Sequence, residues 1–406
     1  MKILMVIPIS PVPTYFGAAI RVKYLLRKLA SEHDVTVVTF GTPDQRELFM
    51  LEFGDLVDDL YLLPQPWSRK YKRMAQICSI FSSRSYFFMS GYSRQMQKKI
   101  IELMSTRDFD VVHTEFPFMS QYHFPGDAIR VLDAHNVEYE NFRRMALKHR
   151  SLLRKWFYHM EYRKVYREEV AMFRKQDILM ATSKEDIAII KRDVDDVPAY
   201  VIPNGVDTSF FSPHDWQPEQ YSLVFTGMMG YTPNDDGMLW FLDEIFPLVL
   251  KELPNTKINI VGNQPSDELR RHQSENVIVT GFVDDVRPYV WNSSVFVVPL
   301  RMGSGTRLKV VEALAMNKPV VSTSIGCEGI EVEHGNTILI HDDPSEFAGA
   351  VVDLLKNREL CLRLVEKGYK LVTSVYDWTV IGDRMLEVYE VLDSPTVREK
   401  EVKGSK

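Results

Sequence analysis

The segment GSGTRLKVVEALAMNKPVVST, at 303–323, combines residue types that bind phosphate groups. Its two glycines allow the backbone to approach a ligand closely, and a helix that begins just after them directs N–H groups and the positive end of its dipole at an anion. Arg307 and Lys309 add two cations at this helix start, where they oppose the dipole unless an anion lies between them. The pattern predicts a phosphate site at the start of a helix over about 306–316.

Glu312 lies further along the same helix. An acidic side chain commonly holds the ribose hydroxyls in dinucleotide sites, so Glu312 is a candidate for binding the ribose of a nucleotide. The alternative is an ordinary glycine turn followed by a surface helix with an exposed Glu. The position of the loop favours the ligand site. It follows the apolar strand SVFVVPL at 294–300, and ligands of open α/β sheets bind at the carboxyl ends of the strands.

Short apolar runs alternate with amphipathic helical stretches along the chain, which is typical of parallel sheets covered by helices on both faces. The runs that we predict as strands are KILMVIPI, DVTVVTF, FDVVHTEF, IRVLDAHN and DILMATS in the first half, and SLVFTGMM, TKINIVG, VIVTGFV, SVFVVPL, KPVVSTS and TILI in the second. A chain of 406 residues is too long for one ordinary core. We therefore expect an α/β protein with two doubly wound, Rossmann-like domains that face a cleft.

The stretch VIPNGVDTSFFSPHDWQPEQYSLVFTG contains the domain boundary, because a strand ends there at a proline and further prolines precede the next strand. We place an N-terminal domain at 1–205 and a C-terminal domain, which contains the predicted nucleotide site, at 206–378. A final helix at 379–394 is expected to pack back on the N-terminal domain. The charged end at 395–406 is expected to be disordered.

The composition is that of an ordinary globular protein, with 45% hydrophobic and 26% charged residues and a net charge of −6. This acidic balance argues against a nucleic-acid partner. The 3 cysteines are far apart and form no zinc or disulfide pattern. The first apolar run ends in prolines after about seven residues, which favours a buried strand over a signal peptide. These features favour the cytoplasm.

Two basic segments differ from this acidic background. Residues 65–101 contain eight Lys or Arg and no acidic residue, and residues 141–167 contain nine Lys or Arg against one Glu, with aromatic residues interspersed. Such segments suit an anionic membrane surface, so peripheral contact with the inner membrane face is one interpretation. A solvated helix face is the other.

The segment PLRMGSGTRLKVVEALAMNKPVV resembles the nucleotide-sugar motif of GT-B glycosyltransferases, in the large retaining group called family 4 or group 1. The resemblance covers nearly the whole chain and includes VIPNGVD at the domain junction, GFVDD at 281–285, CEGI at 327–330 and YDW at 376–378. It implies transfer of a sugar from a UDP- or GDP-sugar to an acceptor hydroxyl, with retention. The donor is a substrate, and no cofactor is implied. The basic segments add the expectation of a lipid-linked or anionic acceptor, as in cell-surface polysaccharide or glycolipid assembly.

The resemblance assigns the donor site mainly to the second half. Glu312 matches the acid that holds the ribose and Gly305 matches the loop glycine, whereas Ser304 stands where the family has a first Glu. The loop at 226–237 lacks the Arg and Lys that hold the diphosphate in the family, so this role passes to Arg307 and Lys309 as catalytic candidates. The other candidates for donor binding in this half are Gly227, Gly230, Val283, Gly303 and Thr306.

The resemblance also implies that the domain at 1–205 binds the acceptor and contributes residues close to the reacting atoms. Gly17 follows the first strand and resembles the family's N-terminal glycine loop near the phosphate, with a simple turn as the alternative. His135, in DAHN, resembles the histidine that contacts the donor sugar, and we take it as a catalytic candidate. A buried packing residue is the alternative. His113 and Glu115 lie at an equivalent strand end and are candidates for binding the acceptor.

Two Asp-x-Asp strings, at 108–110 and 193–195, match the pattern that holds a divalent metal in another glycosyltransferase architecture. Neither lies at a strand end inside a nucleotide-binding sheet, so we predict no metal site. Two other functions stay open. One is a nucleotide-sugar epimerase of the same architecture, and the other is a non-catalytic nucleotide-sugar-binding or scaffold protein, which the Ser at position 304 supports.

Overall fold

The computed structural model describes residues 1–14, 17–65, 69–148, 151–215, 217–303 and 305–393. The chain divides into two units. Unit 1 is Met1–Pro203 together with the residues from Gly382 onward, and unit 2 is Asn204–Ile381. The tail at 395–406, predicted as disordered, and the donor candidate Ser304 both lie outside the described residues.

Within its described residues, unit 1 contains a seven-stranded sheet in which every pair of neighbouring strands is parallel. The strands are β1 (Lys2–Ile7), β2 (Asp34–Phe40), β3 (Asp59–Leu63), β4 (Val111–Glu115), β5 (Ile129–Ala134), β6 (Ile178–Ala181) and β7 (Ala199–Val201), in the spatial order β3-β2-β1-β4-β5-β6-β7. The helices are α1 (Gly17–Glu32), α2 (Pro43–Phe53), α3 (Arg69–Ile80), α4 (Tyr86–Ser90), α5 (Arg94–Thr106), a 3-10 helix (Pro117–Gln121), α6 (Glu138–Lys148), α7 (Leu152–Phe173) and α8 (Lys184–Lys191).

The described part of unit 2 contains a six-stranded sheet, also parallel throughout. Its strands are β8 (Ser222–Thr226), β9 (Lys257–Val261), β10 (Val277–Gly281), β11 (Val295–Val298), β12 (Val320–Ser322) and β13 (Leu339–Ile340), in the order β10-β9-β8-β11-β12-β13. The helices are α9 (Thr232–Trp240), α10 (Phe246–Glu252), α11 (Asp267–Arg271), α12 (Arg287–Trp291), α13 (Leu308–Ala315), α14 (Pro344–Lys356) and α15 (Arg358–Leu371). The last helix, α16 (Trp378–Asp393), begins in unit 2 and belongs to unit 1 from Gly382 onward. Two π-helical turns (Phe241–Ile245 and Val372–Tyr376) and a 3-10 turn (Ile325–Cys327) complete the unit.

The apolar strands of the sequence are buried on both faces. Every residue of β1 from Ile3 to Ile7 is fully buried, and the same holds for the four residues of β11, because helices cover both sides of a parallel sheet. The sequence patterns did not predict β3, and they indicated β7 only as a strand that ends at the proline of the domain boundary. Both are edge strands that retain partly exposed residues, which weakens their apolar signal. The predicted fold class, two doubly wound Rossmann-like domains, is confirmed.

Each sheet has one point where the strand order reverses. In unit 1 this point lies between β1 and β4, and in unit 2 it lies between β8 and β11. The connections that leave two such strands run to opposite faces of the sheet, which leaves a crevice beyond their carboxyl ends where ligands bind. The loops after β8 and β11, and those after β1 and β4, are therefore the parts of the fold to search for a site.

Candidate functional site

The glycine-rich loop of unit 2 joins β11 to α13 at the strand-order reversal. Helix α13 begins at Leu308, two residues later than predicted, because Arg307 has the non-helical dihedrals φ −86° and ψ 78° and forms the N-cap. Gly303 and Gly305 both have positive φ, at 133° and 79°, a conformation that side chains with a Cβ rarely adopt. The two glycines that the sequence analysis singled out are therefore required by the path of the loop.

Arg307 is buried beneath this loop, with 8% of its surface exposed. Its Nη1 donates to the carbonyl oxygen of Gly305 over 2.5 Å, and its Nη2 lies 3.9 Å from a carboxylate oxygen of Glu328. A Cβ on Gly303 would approach Nη2 to 2.8 Å, so a side chain there would displace the guanidinium. The neighbouring Thr306 accepts a 3.3 Å hydrogen bond from the Asn204 side chain. The loop thus holds a guanidinium directly at the start of α13.

Lys309 brings a cation to the loop that follows β8. Its Nζ donates to Asn234 Oδ1 over 2.8 Å and lies 3.9 Å from the centre of the Phe225 ring, a cation–π contact. A Cβ on Gly227 would lie 2.8 Å from the same Nζ, so glycine at that position leaves room for the ammonium. This loop has no Lys or Arg of its own. The structure supplies one from α13, on the other side of the strand-order reversal.

The pKa values of Lys309 and Glu312 are both shifted from their usual values. Burial lowers the pKa of Lys309 to about 7, with the Glu312 carboxylate opposing this shift and Arg307 adding to it. Burial also raises the pKa of Glu312 to about 7, against the influence of Lys309. Residues three apart share one face of a helix, so these two groups lie together on α13. A ligand with an anionic group near Lys309 would restore full charge to the ammonium.

The other candidates of unit 2 lie on the loops after β8 and β10. Gly230 follows β8, and a Cβ there would meet the Gln264 side chain at 2.4 Å. Val283 follows the end of β10 and is packed in part against the core of the unit. Asn234 was not among the residues predicted from the sequence. It also donates to the Met228 carbonyl over 2.9 Å and so links Lys309 to the loop. Its signal was present, since it lies in the same Gly-rich loop-to-helix segment as Gly227 and Gly230.

Unit 1 joins the three polar candidates in one buried hydrogen-bonded chain. His113 and Glu115 lie two residues apart on β4 and therefore face the same side of the sheet, and His135 follows β5, which pairs with β4. Glu115 is fully buried, and its two oxygens lie 3.1 Å from His113 Nε2 and 2.5 Å from His135 Nε2. On the other side of His113, its Nδ1 lies 2.5 Å from the hydroxyl of Tyr389 on α16.

The Glu115 carboxylate determines the direction of these hydrogen bonds. Burial alone would raise its pKa, but the hydrogen bonds from His113 and His135 outweigh burial and hold the pKa well below its usual range. An ionised carboxylate only accepts, so both Nε2 atoms donate to it. In its neutral form, His113 then accepts a hydrogen bond from Tyr389 through Nδ1. In its neutral form, His135 has an Nδ1 without a hydrogen, which can accept a hydrogen bond. The His135 ring also stacks on Phe116, with ring centres 4.0 Å apart.

The remaining candidates of unit 1 lie elsewhere or have structural partners. Gly17 is the exposed first residue of α1. In the two Asp-x-Asp strings, Asp110 accepts from the Lys2 backbone and Asp193 accepts from Tyr139 and Tyr166. Among the described residues, the ligand atoms of His113, Glu115 and Asp133 lie within 4.8 Å of one another. Arg21, however, donates to both Asp133 oxygens, at 2.8 and 2.9 Å, and no metal role follows from this group.

This combination of two Rossmann-like domains with a cation pair and an acid on one helix is that of a GT-B glycosyltransferase. Two family models match the chain, "Glycosyltransferase Family 4" over residues 16–210 and "Glycosyl transferases group 1" over residues 220–357. Together they match most of its length. The chain belongs to the group 1, or family 4, glycosyltransferases.

Individual relatives agree with this family. An uncharacterised 44.6 kDa protein in the cps region of Klebsiella pneumoniae is 23% identical over 394 residues, with 93% of this chain and 96% of the relative covered. A phosphatidyl-myo-inositol mannosyltransferase of Propionibacterium freudenreichii is 24% identical over 252 residues, which cover 57% of this chain and 62% of that protein. HepE of Anabaena, solved in complex with UDP, is similar in fold with a TM-score of 0.68 at 13% identity, over 96% of this chain and all of HepE.

Proposed function

We propose that this protein transfers a sugar from a UDP- or GDP-sugar to an acceptor hydroxyl, with retention at the anomeric carbon and without a metal ion, in cell-surface polysaccharide or glycolipid assembly. The family supports sugar transfer. The location of one relative in a cps region and the lipid acceptor named for another support the assembly of surface glycans. HepE, known in complexes with UDP and with UDP-glucose, supports a nucleotide sugar as the donor.

The observation that carries this proposal is the position of Lys309. Its ammonium lies beside Gly227 at the carboxyl end of β8, where the family's diphosphate cations belong, and Arg307 adds a second charge at the start of α13. Charge builds up on the diphosphate as the sugar departs, and fixed cations in a site that excludes water stabilise that charge. We propose a front-face reaction, in which the acceptor oxygen bonds to the anomeric carbon on the side from which the diphosphate departs. The departing phosphate then helps to remove the proton of the attacking hydroxyl.

Unit 1 contributes His135 to the reaction. We assign the bare Nδ1 of His135 as an acceptor for a hydroxyl of the donor sugar, held in place by Glu115 and by the Phe116 ring. Glu115 has no exposed surface, and its two oxygens already accept hydrogen bonds from the two histidines. We therefore assign Glu115 and His113 to holding His135 in position, and not to direct contact with the acceptor.

Acceptor-dependent release of nucleotide from UDP- and GDP-sugars tests the function. A transferase releases nucleoside diphosphate only when an acceptor is present, an epimerase converts the sugar without one, and a binding protein does neither. The same assay in EDTA is expected to keep its rate, because Arg307 and Lys309 provide the positive charge that a metal ion would otherwise provide. Full dependence on a divalent ion, or turnover without an acceptor, would overturn this assignment.

Glu312→Ala is expected to abolish most of the stabilisation by nucleotide. A ligand at a hundred times its dissociation constant stabilises the native state by about 2.7 kcal/mol, which raises the melting temperature by roughly 5 to 10 °C. Loss of the ribose hydrogen bonds should weaken binding by about a hundredfold, since bonds to a charged group contribute most. Thermal-shift titration with UDP and GDP measures this effect. Glu366→Ala, an exposed acid on α15, is the matched control, and equal nucleotide affinity in the two variants would remove the ribose assignment.

Binding of a nucleotide sugar at pH 8 is expected to take up protons. Lys309 has a pKa of about 7 in the free protein, so at this pH most of it is neutral. The diphosphate raises that pKa because it favours the ammonium, and the group then binds a proton. Calorimetry in buffers with different ionisation enthalpies measures the uptake, and Lys309→Met should eliminate it. Equal uptake in that variant would place the titrating group elsewhere.

The basic segments form a surface with exposed apolar residues. The two segments pack on each other, as Glu161 accepts from the Tyr86 backbone and the rings of Tyr86 and Phe157 stack at 5.8 Å. Among the described helices, none has both the length and the apolar composition that crossing a bilayer requires. We name as the basic–apolar surface the exposed apolar residues Met74, Ile77, Phe81, Leu147, Leu152, Leu153 and Trp156 with the exposed cations Lys72, Arg73, Arg143, Arg154 and Lys155.

We propose that the basic–apolar surface binds an anionic membrane. Sedimentation with vesicles should show binding to phosphatidylglycerol-containing bilayers, weaker binding to pure phosphatidylcholine, and a decrease with salt. Arg154→Gln with Lys155→Gln should reduce partitioning by about thirtyfold, at about 1 kcal/mol per basic residue near the surface. Leu362→Ser, an exposed apolar residue of unit 2, is the control. Absence of binding to anionic vesicles at low salt would refute this proposal.

A further inference from the structure

Unit 1 contains a cavity of about 380 Å³ that no residue of the site described above lines. It lies between α4, α6 and the 3-10 helix Pro117–Gln121. Its lining includes four aromatic side chains and two charged ones, which are Tyr86, Phe87, Phe118, Phe142, Lys72 and Glu138. An apolar cavity with a few polar groups is the usual form of a site for a small ligand.

Contacts among the lining side chains and with helix α7 hold the walls of this cavity in place. The ring of Phe87 packs edge-on against Phe118 and Phe142, at 5.1 and 5.9 Å between ring centres. Helix α7 holds the beginnings of both wall helices. Glu161 accepts a 2.8 Å bond from the Tyr86 backbone in α4, and Glu169 accepts a 2.9 Å bond from the Glu138 backbone in α6. These buried carboxylates satisfy N–H groups that the first turn of each helix leaves free.

The aromatic wall extends to the histidine that we assign to the reaction. Phe118 contacts Phe116, with 5.7 Å between ring centres, and Phe116 stacks on His135 at 4.0 Å. The cavity is therefore separated from His135 by two rings within unit 1. A molecule bound in it lies close to the group that contacts the donor sugar in the proposed function.

Glu138 limits the chemistry of the ligand. Its side chain is half-buried, and burial raises its pKa while hydrogen bonds from Asn141 and Asn136 oppose the shift. A hydrocarbon chain would fit the aromatic rings but would cover this carboxyl group without offering it a hydrogen bond, which is costly. A sugar ring has an apolar C–H face for the rings and hydroxyl groups that donate to a carboxylate.

We infer that this cavity binds a sugar ring of the acceptor, so that the acceptor of the transferase is itself a saccharide. The inference rests on the proposed function for the role of the bound sugar, and it names the acceptor class. Helix α6 links the cavity to the basic–apolar surface, because Met145 lines the cavity and Leu147, two residues on, is exposed on that surface. A saccharide attached to a membrane lipid could place its sugar in the cavity and its lipid in the bilayer.

Saturation-transfer NMR tests the cavity with the full chain and without nucleotide. The probes are the methyl glycosides of glucose, galactose, mannose and N-acetylglucosamine, with farnesyl phosphate as the lipid probe. At least one methyl glycoside should receive magnetisation through its ring protons. Glu138→Gln should weaken its binding about tenfold or more, since the variant loses a charged hydrogen-bond acceptor, whereas Glu140→Gln on the same helix should not, because its carboxylate pairs with Arg143 outside the cavity.

Phe118→Leu provides a second variant with the Glu138 carboxyl group intact, and it should also weaken binding because it removes one aromatic wall. Binding by farnesyl phosphate alone would make the cavity a lipid site and overturn the inference. So would the absence of any glycoside signal, or equal binding in the Glu138 and Glu140 variants. Thermal shifts with nucleotide are measured in the same samples. A sample that binds nucleotide but no glycoside contradicts only this inference, whereas a sample that does not bind nucleotide contradicts the proposed function.

Discussion

Simultaneous replacement of Arg307 and Lys309 by Met is expected to reduce turnover by about a thousandfold or more. Removal of a single preorganised donor from a developing negative charge costs about 10²- to 10³-fold in kcat, and here two formal charges are lost. The free energy of unfolding should stay the same or increase. Lys309 carries a cation whose burial is unfavourable, as its lowered pKa shows, and Met fills similar space without that penalty.

The matched control for this double variant is Lys367→Met with Lys370→Met on α15, which removes two exposed cations of the same unit. Surface charges of this kind contribute little to stability or to a remote site. Turnover should be measured with saturating donor, and folding should be followed by thermal unfolding. A double Arg307 and Lys309 variant with normal turnover would show that the diphosphate is held by other groups. A variant that no longer folds would show instead that Arg307 is needed mainly for the loop.

Glu115→Gln is expected to reduce kcat by about 10²- to 10⁴-fold while nucleotide affinity stays unchanged. A carboxylate accepts hydrogen bonds from both His113 and His135, whereas an amide accepts one and donates the other, so one of the two imidazoles must adopt the wrong tautomer. If His135 takes the wrong tautomer, its Nδ1 carries a hydrogen and no longer accepts from the donor sugar, and a wrong histidine tautomer can lower kcat by up to about 10⁴-fold.

Two further variants separate positioning from folding in this chain of hydrogen bonds. Tyr389→Phe keeps the ring and removes only the hydroxyl at the far end, so its effect on kcat should be smaller, at about tenfold or less. His135→Ala removes the proposed hydrogen-bond acceptor itself and should match or exceed the loss in Glu115→Gln. All three should bind nucleotide normally, because the candidate nucleotide site lies in unit 2. Full kcat in a folded Glu115→Gln variant would show that His135 does not depend on this carboxylate.

The candidate donor site consists of residues that are close in sequence. Gly303, Gly305, Arg307, Lys309 and Glu312 fall on one loop and the first turns of one helix, so their spacing alone places them together. Their partners could not be predicted in this way. Asn234, which accepts from Lys309, lies 75 residues earlier in the chain, and only the packing of α9 beside β8 brings it near. The sequence identifies the charged residues, and the fold determines which groups these side chains contact.

The same limit applies to unit 1. The alternation of side chains along a strand predicts that His113 and Glu115 share one face, and the parallel pairing of β4 with β5 brings His135 to them. Tyr389, however, is 276 residues away from His113 and lies on a helix whose pattern shows only an apolar face. Glu138 was also missed, because its position in a cavity depends on how α4 and α6 are held by α7.

The central claim is that Arg307, Lys309 and Glu312 form the donor site. A crystal structure with a bound UDP- or GDP-sugar tests this claim most directly. We expect diphosphate oxygens within hydrogen-bonding distance of Lys309 Nζ and the Arg307 guanidinium. Both ribose hydroxyls are expected to donate to the Glu312 carboxylate. A nucleotide sugar bound with its diphosphate away from the start of α13, or with its ribose on a different acid, would contradict it.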